Sequence, residues 1–450
     1  MELWRVALDW MLILLSSFYL CVIYNRLIMK PQVSIANYVY LILWAFCCLP
    51  ILLDYAIGRP SYQTVYWYKP FIAPMANDYV SAIYDLLLIS ACTSLFFYSN
   101  YYQKKKIKVQ KKWGGVIFDN KVVMCLFIIS PYLYILLTGN VSSYLTYGDS
   151  VSRGVASSGV SMIVAELLLL SVISFCSLFF RQDRLGTVAN LVLIVCYSIV
   201  TGWISGKRFM LAILIVLYLF FYLRRNPALE QRKKLRVFFP LVLCALLFFS
   251  SFYLIVVRPL RDTGFNSVYE MLRVDFGRDD VTKYVIYHEF FLGDHILDYY
   301  GQSFLSTLFI WVPRSIWPSK PYQDYQYLTS SILGLPISEL PAGTTPCWFE
   351  MCIINFSYFG LLLSCVLIVA LCHLTDCVKS ASTEAMLFVV ILALLTQSID
   401  VYLVFVFLIF LQKVISFVMP TNNTRLRSGY GHKGCSTACI QYNSKIVVCC

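Results

Sequence analysis

The chain has 450 residues, 59% hydrophobic and 13% charged, with 36 Lys and Arg against 24 Asp and Glu, and its mean hydropathy is +0.71. Soluble domains run at about 45–50% apolar and about 25% charged, so this composition excludes a water-soluble enzyme; it also excludes a disordered protein, which needs low hydrophobicity and high charge. The net charge of +12 would suit a nucleic-acid partner, but most of the excess lies in short loops beside apolar runs, where it signals topology, and no nucleic acid is expected.

A membrane-spanning helix needs about 20 mostly apolar residues. Eleven candidate spans follow along the chain, at about 6–25, 35–57, 79–99, 121–138, 159–180, 187–204, 207–223, 237–257, 346–372, 384–398 and 400–418. The last two meet at Ser398-Ile399-Asp400 and also fit one broken helix. The first run, Val6 to about Tyr24, has no A-x-A-like site after it and reads as a retained helix, not a signal peptide. The expected fold is therefore an all-α polytopic membrane protein of about 11 transmembrane helices. It forms a single transmembrane domain over 1–420, followed by a polar, mobile tail over 421–450. The lipid bilayer is its first partner.

Lys and Arg in short loops mark the cytoplasmic side. Lys104, Lys105, Lys106, Lys108, Lys111 and Lys112 follow the third span; Arg181 and Arg184 follow the fifth; Arg224, Arg225, Arg232, Lys233, Lys234 and Arg236 follow the seventh. With eleven spans these loops share one side with the tail residues Arg425, Arg427 and Lys433. The N-terminus then faces out and the C-terminus lies in the cytoplasm. Most of the 17 Cys fall in apolar runs or beside basic loops and only Cys347 lies close to the outer face, so no disulfide framework is expected.

One large outer loop remains, at about 258–345. Loops this long are usually functional or disordered, and this one carries Tyr269, Phe276, Tyr284, Tyr287, Phe290, Phe291, Tyr299, Tyr300, Trp311 and Trp317, enough apolar surface to fold. Phe304 to Trp311, followed by Pro313 and Pro318, is apolar enough to dip into the membrane, and short amphipathic helices lying on or re-entering the outer leaflet are expected. Cations on this side break the positive-inside pattern: Lys207 and Arg208, Arg258 and Arg261, then Arg273, Arg278, Lys283, Arg314 and Lys320. A guanidinium fork matches phosphate oxygens, so the cluster points to a phosphorylated lipid headgroup. The competing reading pairs them with the loop's own acids, among them Asp262, Glu270, Asp275, Asp279, Asp280, Glu289, Asp294 and Asp298. Both readings stand open at this point.

His288-Glu289 and His295 are the outer-side histidines, and a His with a near-neutral pKa suits general-base work on a sugar hydroxyl. No further ligand spacing supports zinc, and His432, Cys435 and Cys439 in the tail lack a fourth ligand, so no metal is expected. Glu350 opens the ninth span, as a lining group or a satisfied helix-end carboxylate. No Walker A, G-x-G-x-x-G or G-x-S-x-G motif occurs, so no nucleotide or other cofactor is expected.

Three stretches carry a resemblance. Trp311-Val312-Pro313-Arg314-Ser315-Ile316-Trp317-Pro318-Ser319-Lys320-Pro321 is similar to the PR-x-x-W-P-x-K-P stretch of bacterial O-antigen and oligosaccharide repeat-unit polymerases of the Wzy type. Ala342-Gly343-Thr344-Thr345 through Glu350, then Asn355-Phe356-Ser357-Tyr358-Phe359-Gly360, resembles that family's Gly-Thr, Glu, Asn-Phe-Gly run, with Ser357-Tyr358 inserted; Gly206-Lys207-Arg208 resembles its Gly-x-Arg. The resemblance implies a GT-C-like membrane glycosyltransferase of the bacterial inner membrane. Both donor and acceptor would be undecaprenyl-diphosphate-linked oligosaccharides, the transfer inverting, without metal or nucleotide, and a polysaccharide chain-length regulator is a further expected partner. Arg208, Arg314, Lys320 and Glu350 carry over from the matched stretches. The charge argument adds Arg258, Arg261 and Arg278 for the diphosphate and His288 or Glu289 as base. Rival readings are an O-antigen ligase, a lipid-linked oligosaccharide flippase, which predicts repeats and mid-span charges, and a membrane acyltransferase.

Overall fold

The computed structural model describes residues 3–30, 32–62, 65–105, 120–138, 141–145, 158–181, 188–205, 208–225, 227–237, 265–310, 312–340, 346–396 and 403–418, with single positions at 240, 244, 248 and 344. The described residues are helical, with no strand among them. Six helices are long and apolar enough to cross a membrane: α1 (Leu3–Met29), α2 (Ala36–Ala56), α4 (Asp78–Lys105), the Ile163–Arg181 part of α6 (Ser158–Arg181), α7 (Val188–Ser205) and α14 (Tyr358–Cys377). A bilayer leaves no water for backbone groups, so each apolar run closes its own hydrogen bonds as a helix. Short α3 (Lys69–Ala76) precedes α4, and α5 (Lys121–Leu137), α8 (Arg208–Arg224), α15 (Ala381–Thr396) and α16 (Leu403–Val418) complete the bundle. Most of the expected 237–257 span, the 398–400 corner and the tail lie outside the described residues.

The helix ends agree on a common polarity. The last turns of α1, α4, α6 and α8 carry Arg26, Lys104 and Lys105, Arg181 and Arg224. At this basic end Asp376 of α14 accepts from the Ile35 amide at 2.9 Å and from Tyr98 Oη at 2.9 Å, and Arg224 pairs with Glu384 at the start of α15. The described part of the long loop, from residue 265 on, packs on the opposite end, where Arg273 meets Asp54 near the end of α2.

That segment does more than lie on the surface. Helix α9 (Val268–Phe276) descends beside α2, the chain turns at Gly277-Arg278, and α10 (Asp279–Tyr287) climbs back, extended by a π-helical turn, His288–Leu292. The tip is seated by a sequence feature of α2. Pro50 cannot accommodate the carbonyl four residues before it, and a π-helical turn at Trp44–Cys48 absorbs the irregularity. The freed Phe46 carbonyl accepts from the Arg278 amide at 3.3 Å. Phe46 lies about two helical turns, roughly 12 Å, deeper than Asp54, so α9 and α10 form a re-entrant hairpin. Gly277 is required at the tip: a Cβ there would lie 2.5 Å from the Arg273 carbonyl oxygen.

The expected ninth span, 346–372, is corrected by a break. Helix α13 (Trp348–Phe356) ends at Ser357, which sits at φ 49°, ψ −132°, and α14 starts at the next residue and runs back alongside it. Trp348 Nε1 donates to the Ser364 carbonyl at 2.9 Å, which makes the pair antiparallel. The apolar run is continuous in hydropathy but not in direction, and α14 alone makes the crossing. Outside the bundle, α11 (Gln302–Leu308) and α12 (Asp324–Leu333) form the rest of the loop. It is tied down where the Gly301 amide donates to the Asn355 carbonyl at 3.2 Å and Asn355 Nδ2 donates to Ser303 Oγ at 2.7 Å.

Candidate functional site

The hairpin and α13 bring two half-helices together inside the bundle, both with N-termini pointing inward. Their first turns carry Asp279 and Asp280 on α10 and Glu350 on α13, the placement that the positive end of a helix dipole favours. Glu350 is wholly buried. It accepts from the Cys347 amide at 2.6 Å, closing a capping box, and from the Thr282 hydroxyl of α10. Cys347, read from the sequence as lying near the outer face, is buried at this junction. Arg278 stands beside it at the hairpin tip, half-buried, with Nη2 donating to the Thr396 carbonyl at the end of α15 at 2.7 Å. Of the residues singled out from the sequence, Arg278 and Glu350 thus come to one region.

A second charged layer lies nearer the loop end. The Arg273 guanidinium, 6% exposed, forks to Asp54 at 2.8 Å and to Asp279 at 2.7 and 2.8 Å. Arg5 of α1 bridges Asp9 at 2.8 Å and Asp85 of α4. Asp54 and Asp85 are therefore matched in place by cations from distant segments. Between α1, α2, α3, α4 and α10 lies a cavity of about 280 Å³ lined by Arg5, Asp9, Asp54, Arg59, Asp78 and Lys283, among others.

The histidines sit at the other end of α10, about 15 Å along the axis from Arg278. His288 stacks on Tyr284, ring centroids 4.2 Å apart, and meets Asp294 at 3.2 Å. Glu289 is buried: it accepts from the Ile296 amide at 3.0 Å and pairs with His295 Nδ1 at 2.8 Å. His288 and His295 do not share a helix face, because Gly293 at φ 66° ends the π-helical turn. The sequence reading missed this Glu289–His295 pair, in which a carboxylate orients an imidazole and leaves Nε2 outward. The Tyr300 ring stands against His295, centroids 5.5 Å apart, and Phe291 and Tyr299 of the same segment are exposed as well.

Arg314 and Lys320 lie elsewhere, in the turn between α11 and α12. Arg314 donates to the Lys320 and Pro321 carbonyls at 2.7 and 3.2 Å and stacks 3.8 Å over Tyr322. Lys320 Nζ donates to the Ile310 and Val312 carbonyls, both at 3.1 Å. Partial burial, then the Arg314 charge, push the Lys320 ammonium below its ordinary pKa. Both cations hold their own turn closed, and neither converges on Arg278. Lys207, Arg258 and Arg261 lie outside the described residues, as does the Arg208 side chain at the start of α8.

No group of three metal-ligating side chains occurs among the described residues. An apolar groove of about 780 Å³ runs between α4 and α14, lined by Ile83, Leu87, Phe97, Leu361 and Val369 among others. No family model, curated protein or solved structure matches the chain.

Proposed function

We propose that the chain is a bacterial inner-membrane glycosyltransferase that polymerises undecaprenyl-diphosphate-linked oligosaccharide repeat units, of O-antigen or capsule type. The acceptor's sugar hydroxyl attacks the donor's anomeric carbon, and undecaprenyl diphosphate leaves with inversion. One observation carries the reading: a re-entrant hairpin from the long loop sets the Arg278 guanidinium inside the bundle, beside the N-termini of α10 and α13. Such a site stabilises charge as it develops on a leaving diphosphate. In this reading the α4–α14 groove takes the polyprenyl chain, and the ring cluster around His288 and His295 takes the glycan. The base role falls to His288, or to His295 as oriented by Glu289. The loop side faces out and the basic end faces the cytoplasm.

The test is complementation of a polymerase-null strain, with surface glycan run on a gel. Wild type restores a ladder. Arg278→Ala, expressed at wild-type level, leaves single-repeat glycan on lipid A core, as removing a comparable charge-stabilising donor costs about 10²–10³ in rate. Ladders already present in the null strain but held on the carrier lipid would make the chain a ligase. Lipid-linked single units stranded on the inner leaflet would make it a flippase.

A further inference from the structure

Arg232 is a buried guanidinium at the basic end, 7% exposed. Its Nε and Nη1 are enclosed and meet no acceptor among the described residues. An arginine does not shed its proton in a protein, and a buried charge is tolerated when it is paired and hydrogen-bonded. The neighbouring charges do not supply that partner. Residues 224–236 hold six cations, Arg224, Arg225, Arg232, Lys233, Lys234 and Arg236, against one acid, Glu230. Glu230 pairs with Lys233 at 3.0 Å, its side chain 80% exposed, and Arg224 takes Glu384.

The helical stretch 229–237 follows α8 after four residues and is docked on α1, where Tyr24 Oη donates to the Arg236 carbonyl at 3.1 Å. Leu235 packs against the core, so Arg232, three residues before it, shares the face turned to the bundle. Arg236 stands one turn beyond Arg232 and is exposed. Like charges at this spacing repel, and an anion between them removes the repulsion. The stretch leads into the apolar run that begins at Val237, which puts it at the level of lipid headgroups.

We infer that Arg232, with Arg236 beside it, holds the phosphate of an anionic phospholipid from the leaflet at the basic end. The planar fork matches two phosphate oxygens, and a cationic segment beside a membrane gathers anionic lipid. Burial sets Arg232 apart from Lys233 and Lys234, which are exposed and solvated where they stand. The site lies at the opposite end from Arg278 and does not depend on the polymerase reading.

The full chain, exchanged into lipid-free detergent, is melted with and without phosphatidylglycerol, phosphatidylcholine or glycerol 1-phosphate, and bound lipid is counted by native mass spectrometry. Phosphatidylglycerol binds and raises the melting temperature. Phosphatidylcholine, with no net charge, and glycerol 1-phosphate, without acyl chains, do so far less. Arg232→Gln weakens phosphatidylglycerol binding roughly tenfold or more, the loss of a hydrogen bond to a charged group, and Arg236→Gln weakens it to a lesser degree. Lys233→Gln, the same change of charge, leaves it unchanged. Without lipid, Arg232→Gln melts at or above wild type, because an unmatched buried charge is gone. A lower melting temperature for Arg232→Gln without lipid reveals a partner within the protein and overturns the proposal, as does phosphatidylglycerol binding that survives this substitution. Equal stabilisation by glycerol 1-phosphate overturns the assignment to a lipid.

Discussion

Arg273→Met is expected to destabilise the protein by about 3–5 kcal/mol, the cost of breaking a buried ion pair by removing one partner. The guanidinium is 6% exposed and forks to two carboxylates, Asp54 from α2 and Asp279 from the start of α10. Without it two acids are left facing each other across the hairpin, and Lys283 at 3.7 Å from Asp279 is too distant to replace the lost bonds. A surface ion pair would give about 0–1 kcal/mol instead. The two cases separate in a melting experiment on purified protein in detergent. A further variant distinguishes lost attraction from exposed repulsion: Arg273→Met combined with Asp54→Asn and Asp279→Asn recovers a large part of the loss, since the buried charges go together. A single variant that melts with wild type would remove the argument that this pair seats the hairpin.

The positions of the crossings were legible because hydropathy reports bilayer thickness directly. Helices α1, α2, α4, α6 and α7 fall within a few residues of runs read from the sequence. The long loop was legible as a folded segment through its aromatics, and re-entry was among its expected forms. The sequence points to the wrong part: Phe304–Trp311 is the apolar stretch expected to dip in, whereas the polar hairpin of α9 and α10 is the one that re-enters. Helix α10 reads as a polar stretch, yet Asp279 through Ile286 are all buried. Its burial is supported by bonds that reach far along the chain: Arg273, which pairs with Asp279, also reaches Asp54 across 219 positions, and the Thr282 hydroxyl reaches Glu350 across 68. One sequence carries no record of such pairings. Glu289 shows the same limit from the other side. It reads as a base beside His288, and the chain reversal at Gly293 gives it to His295 instead. Arg314 and Lys320 read in the sequence as phosphate ligands, whereas their donors meet carbonyls of the turn that contains them. The proline pattern Pro313, Pro318 and Pro321 was a usable signal for that: prolines supply no N–H, so a tight turn rich in them has carbonyls in surplus for side-chain donors.

The break at Ser357 sets up the second large effect. Helices α13 and α14 approach so closely that a Cβ on Gly360 would lie 2.1 Å from the Cys352 carbonyl oxygen, 2.5 Å from its carbon and 2.8 Å from the Ile353 Cα. These are backbone atoms, so no side-chain rotation relieves the contact, and the hairpin must part. Gly360→Ala is expected to cost roughly 1–3 kcal/mol, the range for overpacking a filled site, and Gly360→Leu more. Phe359→Ala serves as the comparison, because Phe359 is 61% exposed on the same helix and its removal leaves the hairpin contact intact. Parting the hairpin also moves the α13 N-terminus, and with it Glu350 and its bond from Thr282. If the proposed polymerase activity holds, Gly360→Ala should therefore lower the melting temperature and shorten the glycan ladder together, although residue 360 carries no chemistry of its own. Restoring stability by a second, distant substitution would separate the two effects. If the ladder returns with stability, the hairpin matters through folding alone; if it stays short in a stable protein, the position of Glu350 against α10 is what the transfer reaction requires.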